Sequence, residues 1–200
     1  LTQSFRFGSA VAHVANMVLA FKGESRQLAG LGGETRVSKA LPADLEHRTV
    51  LCRTVVGVIE TALANVETGA KIYWVGGIEG YNIQDLEDLH ALSKGWRDRV
   101  KGKKLLQEYP DYDLYKQIAD ESQDPEMNRS IKIIEQYSAD LPELFAKLRR
   151  NAVTDELEAT ITLSTAHRSK GLEWDAVQLA EDFTFDPFNP ENEKEPWIDE

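Results

Sequence analysis

The chain has 200 residues, 42% of them hydrophobic, a single cysteine and a formal net charge of −11. That length suits one ordinary domain, or one domain carrying an insert, and no apolar run is long enough to span a membrane. The charge argues against a protein that coats duplex DNA through a broad basic face, but it is compatible with a narrow groove holding one strand by a few phosphate contacts and base stacking.

The opening Leu1-Thr2-Gln3-Ser4 has no initiator Met, basic region or apolar run, so no signal peptide is expected and the start reads as a cut inside a longer protein. Val11, Val14, Ala15, Val18 and Leu19 recur at helical spacing, which predicts a helix over residues 9–22 with Ser9 as its cap and Gly23 after its end. Residues 27–44 are polar and contain Gly30, Gly32 and Gly33, a loop with at most a short strand. Thr49 to Cys52 is a compact β-favouring run and predicts a buried strand, followed by a helix over residues 56–66. Cys52 lies in that apolar run and is expected to be a buried, inert thiol. A second strand is predicted over residues 71–75, closed by Gly76-Gly77, and a helix over residues 83–92. Strand, helix, strand, helix implies a parallel sheet with crossover helices.

The texture changes after Lys94. Residues 95–152 are charged, contain three prolines and read as a small all-helical insert. Met127, Ile131, Ile134 and Tyr137 share one predicted helix face; Leu141, Leu144, Phe145 and Leu148 share another, with Asp140 and Glu143 at capping-box spacing. Strand signals return at residues 159–164 and 175–180, and the acidic tail from Glu181 to Glu200 reads as a loop. The fold class is therefore α/β, with a sheet domain over residues 1–94 and 153–200 interrupted at 95–152.

Three constellations could carry chemistry. Thr165-Ala166-His167-Arg168-Ser169-Lys170-Gly171-Leu172-Glu173-Trp174 follows a strand, where open α/β sheets place ligands. Hydroxyl, imidazole and amine groups there can donate to phosphates, and a carboxylate can accept from a ribose hydroxyl; composition alone favours a polar surface turn. Phe5-Arg6 precedes the first helix, where an arginine can join backbone amides around a phosphate and a ring can stack on a base; an ordinary surface arginine beside a core phenylalanine is the alternative. Arg53-Thr54 ends a strand and suits either a backbone phosphate or a strand-end salt bridge. Gly30-Leu31-Gly32-Gly33 lacks the strand–turn–helix frame of a dinucleotide fingerprint, and no Gly-x4-Gly-Lys-Ser/Thr occurs. The four histidines are far apart, without metal-site spacing. Trp197-Ile198-Asp199-Glu200 lacks the apolar strand of a magnesium-binding motif.

Taken in order, these pieces are more specific. Leu1 to Arg6 ahead of an apolar helix resembles motif IV of the UvrD/Rep type of superfamily 1 DNA helicase. Val50 to Thr54, Ile72 to Gly77 and Asp85 to Asp88 resemble the middle motifs. Thr165-x-His167-x-x-Lys170-Gly171-Leu172-Glu173 resembles motif V. The compact insert, Leu141-Pro142-Glu143-Leu144 and Glu181-Asp182-Phe183 look closest to the F-box DNA helicase branch, although no F-box is present in these residues.

The resemblance implies a RecA-like second motor domain with a reduced insert, in a 3′-to-5′ helicase or translocase serving replication, recombination or repair. It implies that Phe5 packs on adenine, that Arg6 contacts the γ-phosphate as the catalytic arginine, and that Gly171 and Glu173 approach the ribose. Arg53, Thr54, Gly76, Gly77, Thr165 and His167 fall among contacts to single-stranded DNA, with Lys170 in the same motif. Phe5 stands where many relatives carry tyrosine, and Val55 where many carry a polar amide. The family's phosphate loop and magnesium-binding carboxylate belong to the first motor domain, and a further arginine motif follows motif V. ATP and Mg2+ are therefore expected in the parent protein and none on the chain alone, which is expected to be inactive. The implied partners are single-stranded DNA and the first RecA-like domain of the same protein, with no membrane. The implied location is cytoplasmic and nucleoid-associated in a bacterium, or nuclear in a eukaryote. Two rival readings are a helicase-derived protein-binding module and the motor half of a helicase–nuclease.

Overall fold

The computed structural model describes residues 2–39, 42 and 45–183. The residues up to Leu45 and those from Glu46 to Phe183 form two compact units. The tail expected as a loop lies outside the described residues beyond Phe183, as does the Trp197–Glu200 stretch.

In the first unit, β1 (Gln3–Ser4) pairs in parallel with β2 (Ala29–Gly30), and α1 (Ser9–Phe21) lies between them in sequence. Gly8, not Ser9, occupies the cap of α1. A side chain at Gly8 would overlap the carbonyl of Gly33, so the cap position is decided by a loop that the local pattern does not reveal. Of the apolar residues in α1 only Ala12 is buried; Val14 and Val18, expected on the inner face, are exposed. A pair of two-residue strands offers too little surface to cover that face within the unit.

The second unit holds a five-stranded, all-parallel sheet in the order β5-β4-β6-β3-β7. Its strands are β3 (Arg48–Cys52), β4 (Ile72–Trp74), β5 (Ala152–Val153), β6 (Ile161–Thr165) and β7 (Val177–Leu179). Central β6 is buried at every residue, as a parallel strand covered on both faces must be. Helices α2 (Val55–Val66) and α3 (Ile83–Ser93) follow β3 and β4. The link from β6 to β7, residues 166–176, contains no helix. It returns the chain past β3 as a turn and extended backbone.

The insert comprises α4 (Lys103–Glu108), α5 (Tyr112–Ser122), α6 (Pro125–Tyr137) and α7 (Leu141–Asn151). Asp111 and Asp124 cap α5 and α6 by accepting from the N–H groups of Leu114 and Met127, both at 2.8 Å. Pro125 occupies the first turn of α6, where its missing N–H costs nothing. Asp140 does not make the expected cap, because a 3-10 turn over Ser138–Asp140 runs straight into α7 and leaves it helical. The buried face of α6 is Ser130, Ile133 and Ile134; Met127, Ile131 and Tyr137 pack at its edge. Leu141, Leu144, Phe145 and Leu148 of α7 are all buried as expected. These side chains join those of α2, α3 and the sheet in one continuous core. The fold is thus α/β and RecA-like, with a helical insert whose inner faces complete the same core.

Cys52 is fully buried, and burial pushes its thiol up to about 11. The folded chain therefore holds this proton more tightly than the unfolded one, so its contribution to stability is complete below the ordinary thiol value of 9.0 and is lost as pH rises to about 11. A thiol reagent at pH 8 is expected to leave Cys52 unmodified until the protein is denatured. Labelling of the native chain at the rate of a small thiol would contradict this.

Candidate nucleic-acid interface at the carboxyl edge of the sheet

Parallel strands end on the same edge, and ligands of open α/β sheets bind there. Cys52 is in register with Thr165, Trp74 with Leu163, and Leu51 with Leu179. The segments that follow, Arg53-Thr54, Val75-Gly76-Gly77, Ala166 to Lys170 and Ala180 to Asp182, therefore emerge side by side. The expected contacts Arg53, Thr54, Gly76, Gly77, Thr165, His167 and Lys170 all lie on this edge.

The first device on the edge is a buried carboxylate. Asp182 is 3% exposed. It accepts from the Arg53 N–H at 2.9 Å, the Thr54 N–H at 2.9 Å and the Thr54 hydroxyl at 3.0 Å. Thr54 in turn caps α2, accepting from the Gly57 N–H at 2.9 Å. The amino end of α2 thus carries a protein carboxylate, which complements its dipole. The Thr54 hydroxyl and the two main-chain donors are engaged by it, while the Arg53 side chain stands exposed beside them.

The second device joins two turns. Gly76 and Gly77 have φ of 82° and 85°, a left-handed region that glycine enters without strain. Arg168 reaches across to them: its guanidinium donates to the Gly80 carbonyl at 2.6 Å and lies 4.7 Å from the centre of the Tyr81 ring. Buried Tyr81 donates to the Val75 carbonyl at 2.9 Å. Burial raises the Tyr81 phenol above its usual range, which keeps it protonated as a donor. The turn after β4 and the turn after β6 are therefore fixed to each other.

The turn after β6 is built from its own side chains. Thr165, 5% exposed, accepts from the Arg168 N–H at 3.3 Å, and Ser169 donates to the Ala166 carbonyl at 2.9 Å. Gly171 takes φ of 88° and reverses the chain. His167, Lys170, Gly171 and Glu173 are exposed. Just beyond, the Trp174 indole donates to Glu156 at 2.8 Å, and the same carboxylate oxygen accepts from buried Thr162 at 2.6 Å.

Phe5 and Arg6 lie in the other compact unit, adjacent to each other between β1 and α1. Phe5 is 77% exposed and Arg6 is exposed. Their segment is held by backbone contact: side chains at Gly30 or Gly32 would strike the main chain of residues 5–8. That is the role of the glycine-rich stretch, which is no dinucleotide fingerprint. Among the described residues, no three His, Cys, Asp or Glu side chains gather to hold a metal ion, and no helix is long and apolar enough to cross a membrane.

Asp182 and Tyr81 were not named as edge residues from the sequence; Arg168 was, as one cation of the turn, but not its reach to Gly80 and Tyr81. The usable signals were Gly57 in the first turn of a helix and Asp182 just after a strand.

No family model and no solved structure matches the chain. Curated relatives do, two of them as follows. F-box DNA helicase 1 of Gallus gallus is 31% identical over 204 residues, covering 96% of this chain and 20% of that protein. F-box DNA helicase protein 1 of Schizosaccharomyces pombe is 28% identical over 198 residues, covering 92% of this chain and 22% of that protein. The chain spans about a fifth of the length of these curated relatives. Similarity over nearly the whole chain to two proteins named as DNA helicases makes this a helicase-related protein.

Proposed function

We propose that this chain is the second motor domain of an ATP-dependent 3′-to-5′ DNA helicase or translocase of the UvrD/Rep type, in its F-box branch. Residues 1–94 and 153–200 would form the RecA-like part and 95–152 a reduced insert. The observation that carries the reading is the convergence of Arg53, Gly76-Gly77 and the Thr165–Lys170 turn on one sheet edge. In this reading the exposed Arg53 and His167 side chains contact the strand, Lys170 stands beside them, and the two left-handed glycines let main-chain donors approach a phosphate. Thr54 and Thr165 act mainly by shaping the edge, since their hydroxyls bond within it.

The exposed Phe5 ring and Arg6 guanidinium fit the base and the terminal phosphate of a nucleotide. Arg6 would bring positive charge to that phosphate as charge develops there. Glu173, in the other unit, is an exposed carboxylate after the Gly171 reversal and could by itself accept from a sugar hydroxyl. Bound ATP with Mg2+ supplies the free energy for stepping. The phosphate loop would come from a first RecA-like domain of the same protein, and the fixed pair of turns would move as one body when the two motor domains close. A nuclear location goes with the two eukaryotic relatives.

In the intact helicase, Arg6→Ala is expected to lower DNA-stimulated ATP turnover by about a thousandfold, with single-strand affinity unchanged. The chain alone is expected to show no turnover above its own Arg6→Ala variant. Turnover by the isolated chain, or an intact Arg6→Ala enzyme at full rate, would contradict the assignment.

A further inference from the structure

We propose that residues 94–104 form a second binding site for single-stranded DNA, built on Trp96 and the cations around it. The choice of single-stranded DNA as ligand rests on the function proposed above; the site itself rests on charge, exposure and rigidity.

The sequence Lys94-Gly95-Trp96-Arg97-Asp98-Arg99-Val100-Lys101-Gly102-Lys103-Lys104 carries six cations and one carboxylate in a chain whose net charge is −11. The remainder of the chain is net acidic, so this cluster offers a phosphate backbone a locally attractive field. Trp96, Arg97, Arg99, Lys103 and Lys104 are all exposed, Trp96 to 40%, so a large ring stands at the surface among cations. The Arg99 guanidinium sits 4.5 Å from the centre of the Trp96 ring. An indole and a guanidinium plane are the two surfaces on which unpaired bases stack.

The segment is held in place. The Trp96 N–H donates to the Ala91 carbonyl at 2.9 Å, and the ring meets buried His90 edge-on at 6.0 Å. Asp88, 3% exposed, accepts from the N–H groups of Lys101 at 3.1 Å and Gly102 at 2.6 Å. A side chain at Gly102 would press to 2.9 Å from that carboxylate. A buried acid thus pins a loop of like charges whose mutual repulsion opposes the arrangement. The bland explanation is cations complementing the carboxyl end of the α3 dipole. It covers Lys94, but that effect fades within a turn and does not reach Lys103, while Lys104 pairs with Glu108 at 3.6 Å on the surface.

The ligand is single-stranded because the ring must take an unpaired base; in a duplex the bases are stacked on one another. A membrane surface fits poorly, since Leu105 and Leu106 next in sequence pack into the core and leave Trp96 without apolar company. The site lies at the far end of α3 from the Gly76-Gly77 turn, about 16 Å away along an eleven-residue helix. It is separate from the carboxyl-edge contacts.

The test is fluorescence anisotropy of a labelled oligothymidylate of about 15 nucleotides with the whole chain, over a range of salt. Arg97→Glu/Lys103→Glu is expected to weaken binding at least tenfold at low salt. It should also flatten the log–log salt dependence by about 0.7 for each phosphate no longer neutralised. Arg97→Gln/Lys103→Gln should fall between this variant and the wild type. Trp96→Ala is expected to bind about tenfold more weakly with an unchanged salt slope, and Trp96→Phe to recover most of that affinity. Circular dichroism confirms that each variant is folded. Loop variants that bind within twofold of wild type, while His167→Ala weakens binding, would overturn this site and leave the proposed function standing. Weakened loop variants with an unaffected His167→Ala would support this site and count against the carboxyl-edge contacts. No binding by the wild type, duplex bound as tightly as single strand, or equal competition by phosphatidylserine vesicles would each overturn it.

Discussion

Gly57→Ala is expected to destabilise the chain by about 3 kcal/mol. Helix propensity predicts the opposite sign, because alanine is better than glycine within a helix by about 1 kcal/mol. Steric overlap decides the outcome. A methyl group at residue 57 would overlap the Asp182 carboxylate and sit 2.9 Å from the Thr54 hydroxyl. Both atoms are already committed, Asp182 to three donors and Thr54 to the cap of α2. Asp182→Ala should itself cost about 2–4 kcal/mol, since it strands those donors near a helix terminus. The double variant should be less destabilised than the two losses combined, by more than about 1 kcal/mol, because the new methyl group then occupies space the carboxylate has left. Urea denaturation of the four proteins measures this cycle. A neutral or stabilising Gly57→Ala, or strict additivity, would show that the edge is not organised by this carboxylate.

Phe145→Ala is expected to cost about 3–5 kcal/mol. Phe145 is 1% exposed and lies on α7, within residues 95–152, yet it belongs to the same core cluster as residues of α2, α3 and the sheet. If the insert were a separately folded lobe, its loss would leave the sheet intact. A shared core requires that helix and sheet signals melt together, at a lower temperature than in the wild type. Two separated transitions would contradict it. Of the ion pairs between these helices, Lys132–Glu60 and Arg149–Glu87 each have an exposed cation and add little beside this packing, while Arg129–Glu60 is half-buried.

The elements that were legible in the sequence were those whose signal is local. Thr49 to Cys52, Ile72 to Trp74 and Ile161 to Ser164 are β-branched and aromatic runs, and they formed β3, β4 and β6 within a residue or two of the expected bounds. What escaped depends on partners far along the chain. Asp182 bonds to Arg53 across 129 positions, so nothing near either residue announces the pair. Arg168 looked like one more polar residue in a turn until β4 and β6 became neighbours and placed Gly80 beneath it. Gly8 rather than Ser9 caps α1 because the backbone of Gly33 leaves no room for a side chain. The buried face of α6 was misread by one position at Ile133, since a helix bearing apolar residues at 127, 131, 133, 134 and 137 has two adjacent stripes and only its neighbours choose between them.

The carboxyl edge of the sheet, with Arg53 and His167 at its surface, is the surface proposed to meet a DNA single strand. Its most direct test is the affinity of the chain for single-stranded DNA at low salt, compared among wild type, Arg53→Ala and His167→Ala. Both side chains are exposed, and circular dichroism checks that each variant is folded. Each variant is predicted to bind at least about fivefold more weakly, with Arg53→Ala also lowering the salt dependence because one phosphate fewer is neutralised. Affinities equal to wild type in both variants would contradict the assignment of this edge.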